Sequence, residues 1–245
     1  DFADLVPESD QLFIRKGIQI GRAAKTYAVN EEADFYSDNI REIGDKIYFD
    51  FHTPTQEIED FVWEIPGIHN VENATVAIAI LNNLGVDFET LKSGIANFKG
   101  IKRRYTKHNF DSGKIYIDDY AHHPTELNAV IGSIKTFYPH KKLLVVFQPH
   151  LFSRTRDFAD GFAESLDKAD ELILLDIYPA RELQENFEGI TSKWLLEKIK
   201  LENKEISTLN EAFDKIKNKD FDVLLTVGAG NIDTLYDGIV EWLNG

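Results

Sequence analysis

The chain has no cysteine. That removes disulfides, thiolate zinc sites and any cysteine nucleophile, and it fits a reducing compartment. Methionine is also absent, and the chain opens at Asp1, so part of a longer protein is expected. Basic charge is scarce: 27 Lys and Arg against 42 Asp and Glu give a formal net charge of −15. Nucleic-acid backbones need clustered cations, so no nucleic-acid partner is expected, although a few local cations can still hold a small anion. There is no apolar run of about 18 residues and no signal-peptide pattern, which predicts a cytoplasmic protein with no membrane partner. The P-loop pattern G-x-x-x-x-G-K-[ST] is missing too. "DSGKI" supplies the Gly-Lys pair, but His108 stands where the first glycine belongs and a strand follows instead of a helix.

What is present suits one large or two modest domains, since 245 residues can bury a real core. The early segments "QLFIRKG", "KTYAVN" (25–30), "DKIYFDF" (45–51) and "EIEDFVWEIPG" read as strands, the last closed by Pro66 and Gly67. "HNVENATVAIAILNNLG" then places Val71, Ala74, Ala77, Ile78 and Leu81 near one helix face, with Gly85 as its stop. "DFETLKSGIANF" predicts a second helix with Asp87 as N-cap and Leu91, Ile95 and Phe98 on one face. A domain boundary is expected near Gly100, within the polar connector "FKGIKRRY", giving domains 1–100 and 101–245.

Beyond the boundary the pattern alternates. Strands "GKIYIDD", "KLLVVFQ", "ELILLDI", "EIST" and "DVLLTVG" precede helices over 124–137, 157–166, 191–200, 210–217 and 231–243. Apolar strands alternating with amphipathic helices imply βαβ units. The expected class is α/β, with a Rossmann-like, doubly wound, mostly parallel sheet. Ligands of such sheets bind beyond the carboxyl ends of the strands. The strand ends here are "DDYAHH", "QPHLFSRTR", "DIYPARE" and "VGAGN", and these four loops are expected to share one edge.

Each loop has a functional and a plain reading. In "DDYAHHPTE" (118–126), Pro124 suits a first helical position and Glu126 the first turn. A helix cap with surface histidines is the plain reading; the density of polar groups beyond a strand favours a ligand. A metal site from Asp and His is the weaker option, because adjacent strand residues point to opposite faces. "FQPHLFSRTRD" (147–157) carries His150, Arg154 and Arg156 in what reads as a polar loop. Guanidiniums there can hold a carboxylate or phosphate; surface pairing with Asp157 and Asp160 is the alternative. "KRRY" (102–105) is either a phosphate contact or a charged linker. "VGAGNI" places Gly228 and Gly230 where a backbone turns tightly or approaches a ligand before a helix.

Six strings in order, "PGIHNVENA" (66–74), "GIKRRY" (100–105), "DDYAHHPTE", "FQPHLFSRTRD", "IYPARE" (177–182) and "GAGNI" (228–232), resemble the Mur ligase family and cover most of the chain. The resemblance implies that 1–100 is the strand-rich and helical end of a central ATPase domain, and that 101–245 is the complete terminal domain. The UDP-binding domain, the P-loop and the Mg²⁺ ligands would lie upstream of Asp1, so no metal ligand is expected in the chain and it is expected to be inactive alone. It further implies ATP-dependent amide formation through an acyl phosphate, with ATP, UDP-N-acetylmuramate and L-alanine as small-molecule partners.

By motif, Asn73 matches the adenine contact, with His69 and Asn70 shaping that pocket; Arg104 matches a phosphate contact and Asp119 a ribose acceptor. His122, His150 and Arg154 match positions lining the amino-acid and acyl-phosphate side, with Arg154 for the alanine carboxylate and His122 to orient or deprotonate the amine. Many relatives carry a second arginine where this chain has Leu151, and Arg156 is expected to compensate. Gly228 and Gly230 are expected at the substrate. Tyr120 matches a tyrosine linked to self-association, so a homodimer is an expectation. Three alternatives stay open: a ligase adding an intact tripeptide, a non-catalytic binding module, and a metal-dependent hydrolase using the Asp/His turn.

Overall fold

The computed structural model describes residues 2–7, 11–44, 46–65, 67–98 and 100–245. The chain divides into two compact units, residues 1–99 and 100–245, and each is considered by itself.

The first unit carries β1 (Phe13–Arg15), β2 (Lys25–Val29), β3 (Phe35–Ile43), β4 (Lys46–His52) and β5 (Glu57–Trp63), ordered as in sequence within one sheet. β1 to β3 are parallel, and β3 to β5 are antiparallel. β3 is not expected from the sequence. Its alternation breaks at a bulge between Asp38 and Arg41, where Asn39 takes a φ of 48°, so the period-two signal is interrupted. Phe49, Phe51 and Phe61 are fully buried and form the aromatic centre of this unit.

Helix α1 (Ile68–Asn83) packs on β2 and β3, and α2 (Phe88–Ala96) on β5. The inward stripe of α1 is Val71, Ala74, Thr75, Ile78 and Ala79. Ala77 and Leu81, expected inside, are exposed, because a helix repeat of 3.6 carries the stripe through Thr75 and Ala79 instead. Thr75 tolerates burial because its hydroxyl bonds Ser37 Oγ at 2.7 Å. Asp87 caps α2 by accepting from the Thr90 amide at 2.9 Å, as expected. The strand stop expected at Pro66 lies outside the described residues.

The second unit is built on a six-stranded sheet of β6 (Thr106–Asn109), β7 (Ile115–Asp119), β8 (Leu143–Phe147), β9 (Glu171–Leu175), β10 (Lys204–Ser207) and β11 (Val223–Val227). Its order is β10-β9-β8-β11-β7-β6, parallel except for the edge strand β6. This is the expected mostly parallel arrangement. β7, β8 and β11 are buried along their whole length, which is why they read as unbroken apolar runs. β6, the polar sequence "TKHN", is half-exposed and gives no such signal; it occupies part of the segment read as a connector.

Helices α3 (Pro124–Phe137), α4 (Phe152–Asp157), α5 (Ala159–Leu166), α6 (Ser192–Lys198), α7 (Leu209–Lys217) and α8 (Tyr236–Asn244) complete the unit. α4 corrects one expectation: the segment holding Arg154 and Arg156 is a helix, not a loop. For the site, the decisive feature is β11, last in sequence yet inserted between β7 and β8. Val227 lies level with both Asp119 and Phe147, so the loops after these three strands start side by side.

Candidate functional site

The turn after β7 is fixed by its own helix start. Pro124 opens α3, and the His123 ring accepts from the Thr125 amide at 3.3 Å. The Glu126 carboxylate accepts from the amides of His122 at 3.0 Å and His123 at 3.2 Å. This capping box spends His123 and Glu126 on structure and leaves the His122 ring at the edge. His122 Nδ1 lies 2.9 Å from the Tyr120 carbonyl and 3.5 Å from Glu126 Oε2, so this nitrogen is placed to donate and Nε2 is left for other partners.

Beyond β8, Leu151 adopts a φ of 70° and turns the chain into α4. His150 then stacks on Tyr178 with centroids 5.7 Å apart and meets the His122 ring edge-on at 6.1 Å. Arg154, one helical turn on, sets Nη1 3.4 Å from His150 Nδ1. Burial, with the positive charge of Arg154 and the neighbouring His122, lowers the His150 pKa below the ordinary 6.5, so its ring is neutral at neutral pH. Among the described residues no carboxylate pairs with Arg154, in a chain where acids outnumber bases. The structure thus brings His122, His150 and Arg154 together.

Arg156 does not join them. It bonds Asp157 at 2.8 Å and lies over the Phe187 ring at 5.6 Å. Two positions along a helix turn a side chain by roughly 200°, so Arg154 and Arg156 face apart.

The glycine turn is closely packed by protein. A Cβ on Gly228, whose φ is 147°, would meet the Gln148 carbonyl oxygen at 2.5 Å; one on Gly230 would collide with Gln148 Oε1 and with Tyr178. Gln148 fills this turn, donating to Asn231 Oδ1 at 2.8 Å and accepting from the Ile232 amide at 2.9 Å. The glycines make room for Gln148 and Tyr178. Sequence reasoning missed Gln148 because only the insertion of β11 places it there.

Both aspartates at the end of β7 are buried, and burial raises both carboxyls above the usual range. Asp119 accepts from the amides of Tyr105 and Ala121, each at 2.7 Å. Asp118 accepts from Thr226 Oγ1 at 2.7 Å, while its second oxygen has no partner among the described residues. Arg103, within the "KRRY" string, donates to the Gly228 carbonyl at 2.6 Å and meets Asp233 at 3.3 Å. Arg104 is exposed, and its guanidinium lies 5.6 Å from the Tyr120 ring centre. Tyr120, the expected dimer contact, also stacks under Arg103 at 4.8 Å.

In the first unit, Gly67 at a φ of 99° starts α1 beneath the His69 ring. Asn70 and Asn73 sit one turn apart, Asn73 Nδ2 being 3.5 Å from Asn70 Oδ1, and Asn73 is exposed. Among the described residues no group of three or more His, Asp or Glu side chains can hold a metal ion.

Comparison with known proteins gives consistent results. A family model described as Mur ligase, glutamate ligase domain, matches residues 103–230. UDP-N-acetylmuramate–L-alanine ligase of Flavobacterium psychrophilum is 43% identical over 244 residues, covering 100% of this chain and 54% of its own length. The protein of the same name from Parabacteroides distasonis is 43% identical over 248 residues, covering 99% and 53%. Among solved structures, UDP-N-acetylmuramate–alanine ligase of Thermotoga maritima matches with a TM-score of 0.73 at 24% identity, over 90% of this chain and 48% of that one; this is a likeness of fold. The chain spans about half the length of the curated relatives it matches.

Proposed function

Because the chain belongs to the Mur ligase family, we propose that it is part of an ATP-dependent, ADP-forming ligase that joins L-alanine to UDP-N-acetylmuramate in peptidoglycan precursor synthesis, and that it is inactive alone. The observation that carries this reading is the cluster of His122, His150 and an Arg154 that no described carboxylate neutralises, beyond the strand ends.

The chemistry follows from the reactants. A carboxylate acylates amines poorly until one oxygen becomes a leaving group. The muramate carboxylate oxygen therefore attacks the γ-phosphorus, the bond to the β-phosphate bridge breaks, and ADP leaves. The alanine nitrogen attacks the resulting acyl phosphate, the carbon–oxygen bond to phosphate breaks, and the amide forms as nitrogen gives up its proton. Catalysis of such steps is mostly positioning and charge stabilisation.

In this reading Arg154 grips the alanine carboxylate through its two-pronged guanidinium, and Nε2 of His122 receives the amine proton. A neutral His150 supports Arg154 without adding like charge. Arg104, exposed and acting by its charge on Asp119, meets phosphate. Asp119 keeps further lone pairs for a ribose hydroxyl beside its two backbone bonds. In the first unit, Asn73 reads adenine, since an amide both donates and accepts on one edge, with His69 and Asn70 beside it. The Mg²⁺ that the family resemblance implies finds no donor set among the described residues. A cytoplasmic location and a homodimer belong to this reading; no described helix is long and apolar enough to cross a membrane.

The test is phosphate release by the full-length protein given ATP, UDP-N-acetylmuramate and L-alanine. Release that needs all three is expected. Dependence on a tripeptide in place of alanine would reassign the substrate, and no turnover with any amine would favour a binding module.

A further inference from the structure

One carboxylate at this edge has a bonding pattern that the proposed chemistry leaves unused. We propose that Glu182 is a positioning residue for the amino-acid subsite, latching the start of α4, and with it Arg154, to the loop that follows β9. The proposal rests on the functional reading above.

α4 has only six residues and no side-chain cap of its own among the described residues. The first amides of a helix need acceptors. Here they find one from a different loop: Glu182 Oε2 accepts from the Ser153 amide at 3.0 Å, and Oε1 accepts from Ser153 Oγ at 2.5 Å. Burial pushes the Glu182 carboxyl up, but the Ser153 bonds outweigh it and hold the group below the usual glutamate range. It is therefore ionised at neutral pH.

Glu182 is itself held in place. The Leu151 amide donates to the Tyr178 carbonyl at 2.9 Å, and the Tyr178 amide to the Pro149 carbonyl at 2.8 Å, forming a short parallel bridge between His150 and Tyr178. Ala180 adopts a φ of 50°, and the Glu182 amide closes the turn on the Pro179 carbonyl at 2.9 Å. Loop and helix start therefore form one clamp, with the His150–Tyr178 ring stack at its centre.

Two consequences follow. The direction of Arg154 is set by the first turn of α4, so loosening that turn swings the guanidinium away from His150; displacements of about 1 Å can cost roughly a hundredfold in rate. Glu182 also occupies the Ser153 amide and hydroxyl at the start of α4, so an incoming amino-acid carboxylate is directed to Arg154 instead.

The experiment uses the full-length protein and measures KM and kcat for each of the three substrates. In Glu182→Ala, KM for L-alanine should rise about tenfold or more, the effect of losing a charged hydrogen bond, while KM for ATP and UDP-N-acetylmuramate stays within about twofold. Glu182→Gln keeps an acceptor for Ser153 and should restore most of the loss; Ser153→Ala, which removes one of the two bonds, should fall between. An unchanged alanine KM in Glu182→Ala or Ser153→Ala overturns the latch, as do equal rises in all three KM values or a Gln variant as impaired as Ala. Amide hydrogen exchange at Ser153 in this 245-residue chain reads the latch without turnover: Glu182→Ala should speed it about tenfold, and unchanged exchange overturns the proposal. If wild type shows no alanine-dependent turnover while this exchange still responds, the functional reading fails and the latch stands as structure only.

Discussion

At the amino-terminal ends of β8, β9 and β10, Glu171 sits between Lys142 at 3.2 Å and Lys219 at 2.9 Å. Lys219 continues to Glu205 at 2.5 Å, which Lys215 also meets at 2.9 Å, and Lys135 bonds Asp170 at 2.5 Å. At the opposite edge of the same sheet, Arg154 and Arg104 make no described ion pair, although the Arg104 charge lowers the Asp119 pKa against the larger effect of burial, and Asp118 and Asp119 are buried at energetic cost. One edge has cancelled these charges; the other pairs Arg103 with Asp233 and Arg156 with Asp157 but leaves Arg154 and Arg104 outside any described ion pair. The first arrangement contributes to stability; the second is what a site needs if it is to recognise charged reactants, because a cation already paired has little left to give a ligand.

The sharpest test of this contrast is Arg154→Ala. Leaving a substrate carboxylate without its partner costs about 2–4 kcal/mol, so kcat/KM for L-alanine in the full-length protein should fall by roughly 30- to 1,000-fold. Thermal stability should hold, since Arg154 supports no acid in the free protein. Arg154→Lys should recover only part of the activity, because an ammonium lacks the planar fork. A drop in melting temperature that accounts for the lost rate would show that the two edges do not differ as described.

Gly230→Ala comes next in size. Its Cβ would collide with Gln148 and Tyr178, and overpacking of this kind costs about 1–3 kcal/mol, read as a shift of the denaturant midpoint. KM for alanine should move little until folding fails. An alanine KM raised with the midpoint unchanged would instead place the glycine at the substrate.

The sequence disclosed the fold wherever a signal was local. β7, β8 and β11 are apolar runs because both faces are covered, and Asp87 and Pro124 mark helix starts by their own chemistry. Three elements stayed hidden for physical reasons. β3 carries a bulge that breaks its period, β6 is a polar edge, and α4 is too short and too polar to show an apolar stripe. The site divided along the same line. His122, His150 and Arg154 were legible from their places beyond strand ends. The direction of Arg156 was hidden because it depends on an unseen helix, and the packing of Gly228 because Gln148, which follows β8 80 positions earlier, is brought to it only by the insertion of β11.

The smallest effects should carry opposite signs at the two edges, and pH separates them. The bonds of Lys219 and Lys215 hold the Glu205 carboxyl below its ordinary 4.5. Its stabilisation is therefore present above that value and is lost as pH falls through the folded pKa. Glu205→Gln should thus lower stability near neutrality by a few tenths of a kcal/mol to about 1 kcal/mol and match wild type in acid. Asp118 is the reverse case. Burial raises its pKa above the ordinary 3.8, more than its Thr226 bond and the Arg103 charge lower it, so ionisation costs stability above the folded pKa and the cost vanishes in acid. Asp118→Asn should raise stability at pH 7 by up to about 1 kcal/mol, with the gain fading as pH falls toward the ordinary aspartate range. Urea unfolding of both variants across pH 3 to 8 measures the two differences together. Curves of opposite sign that converge in acid are the expected result; an Asp118→Asn loss at neutral pH, or a difference that ignores pH, would mean that the unpaired oxygen of Asp118 is stabilised in the native state.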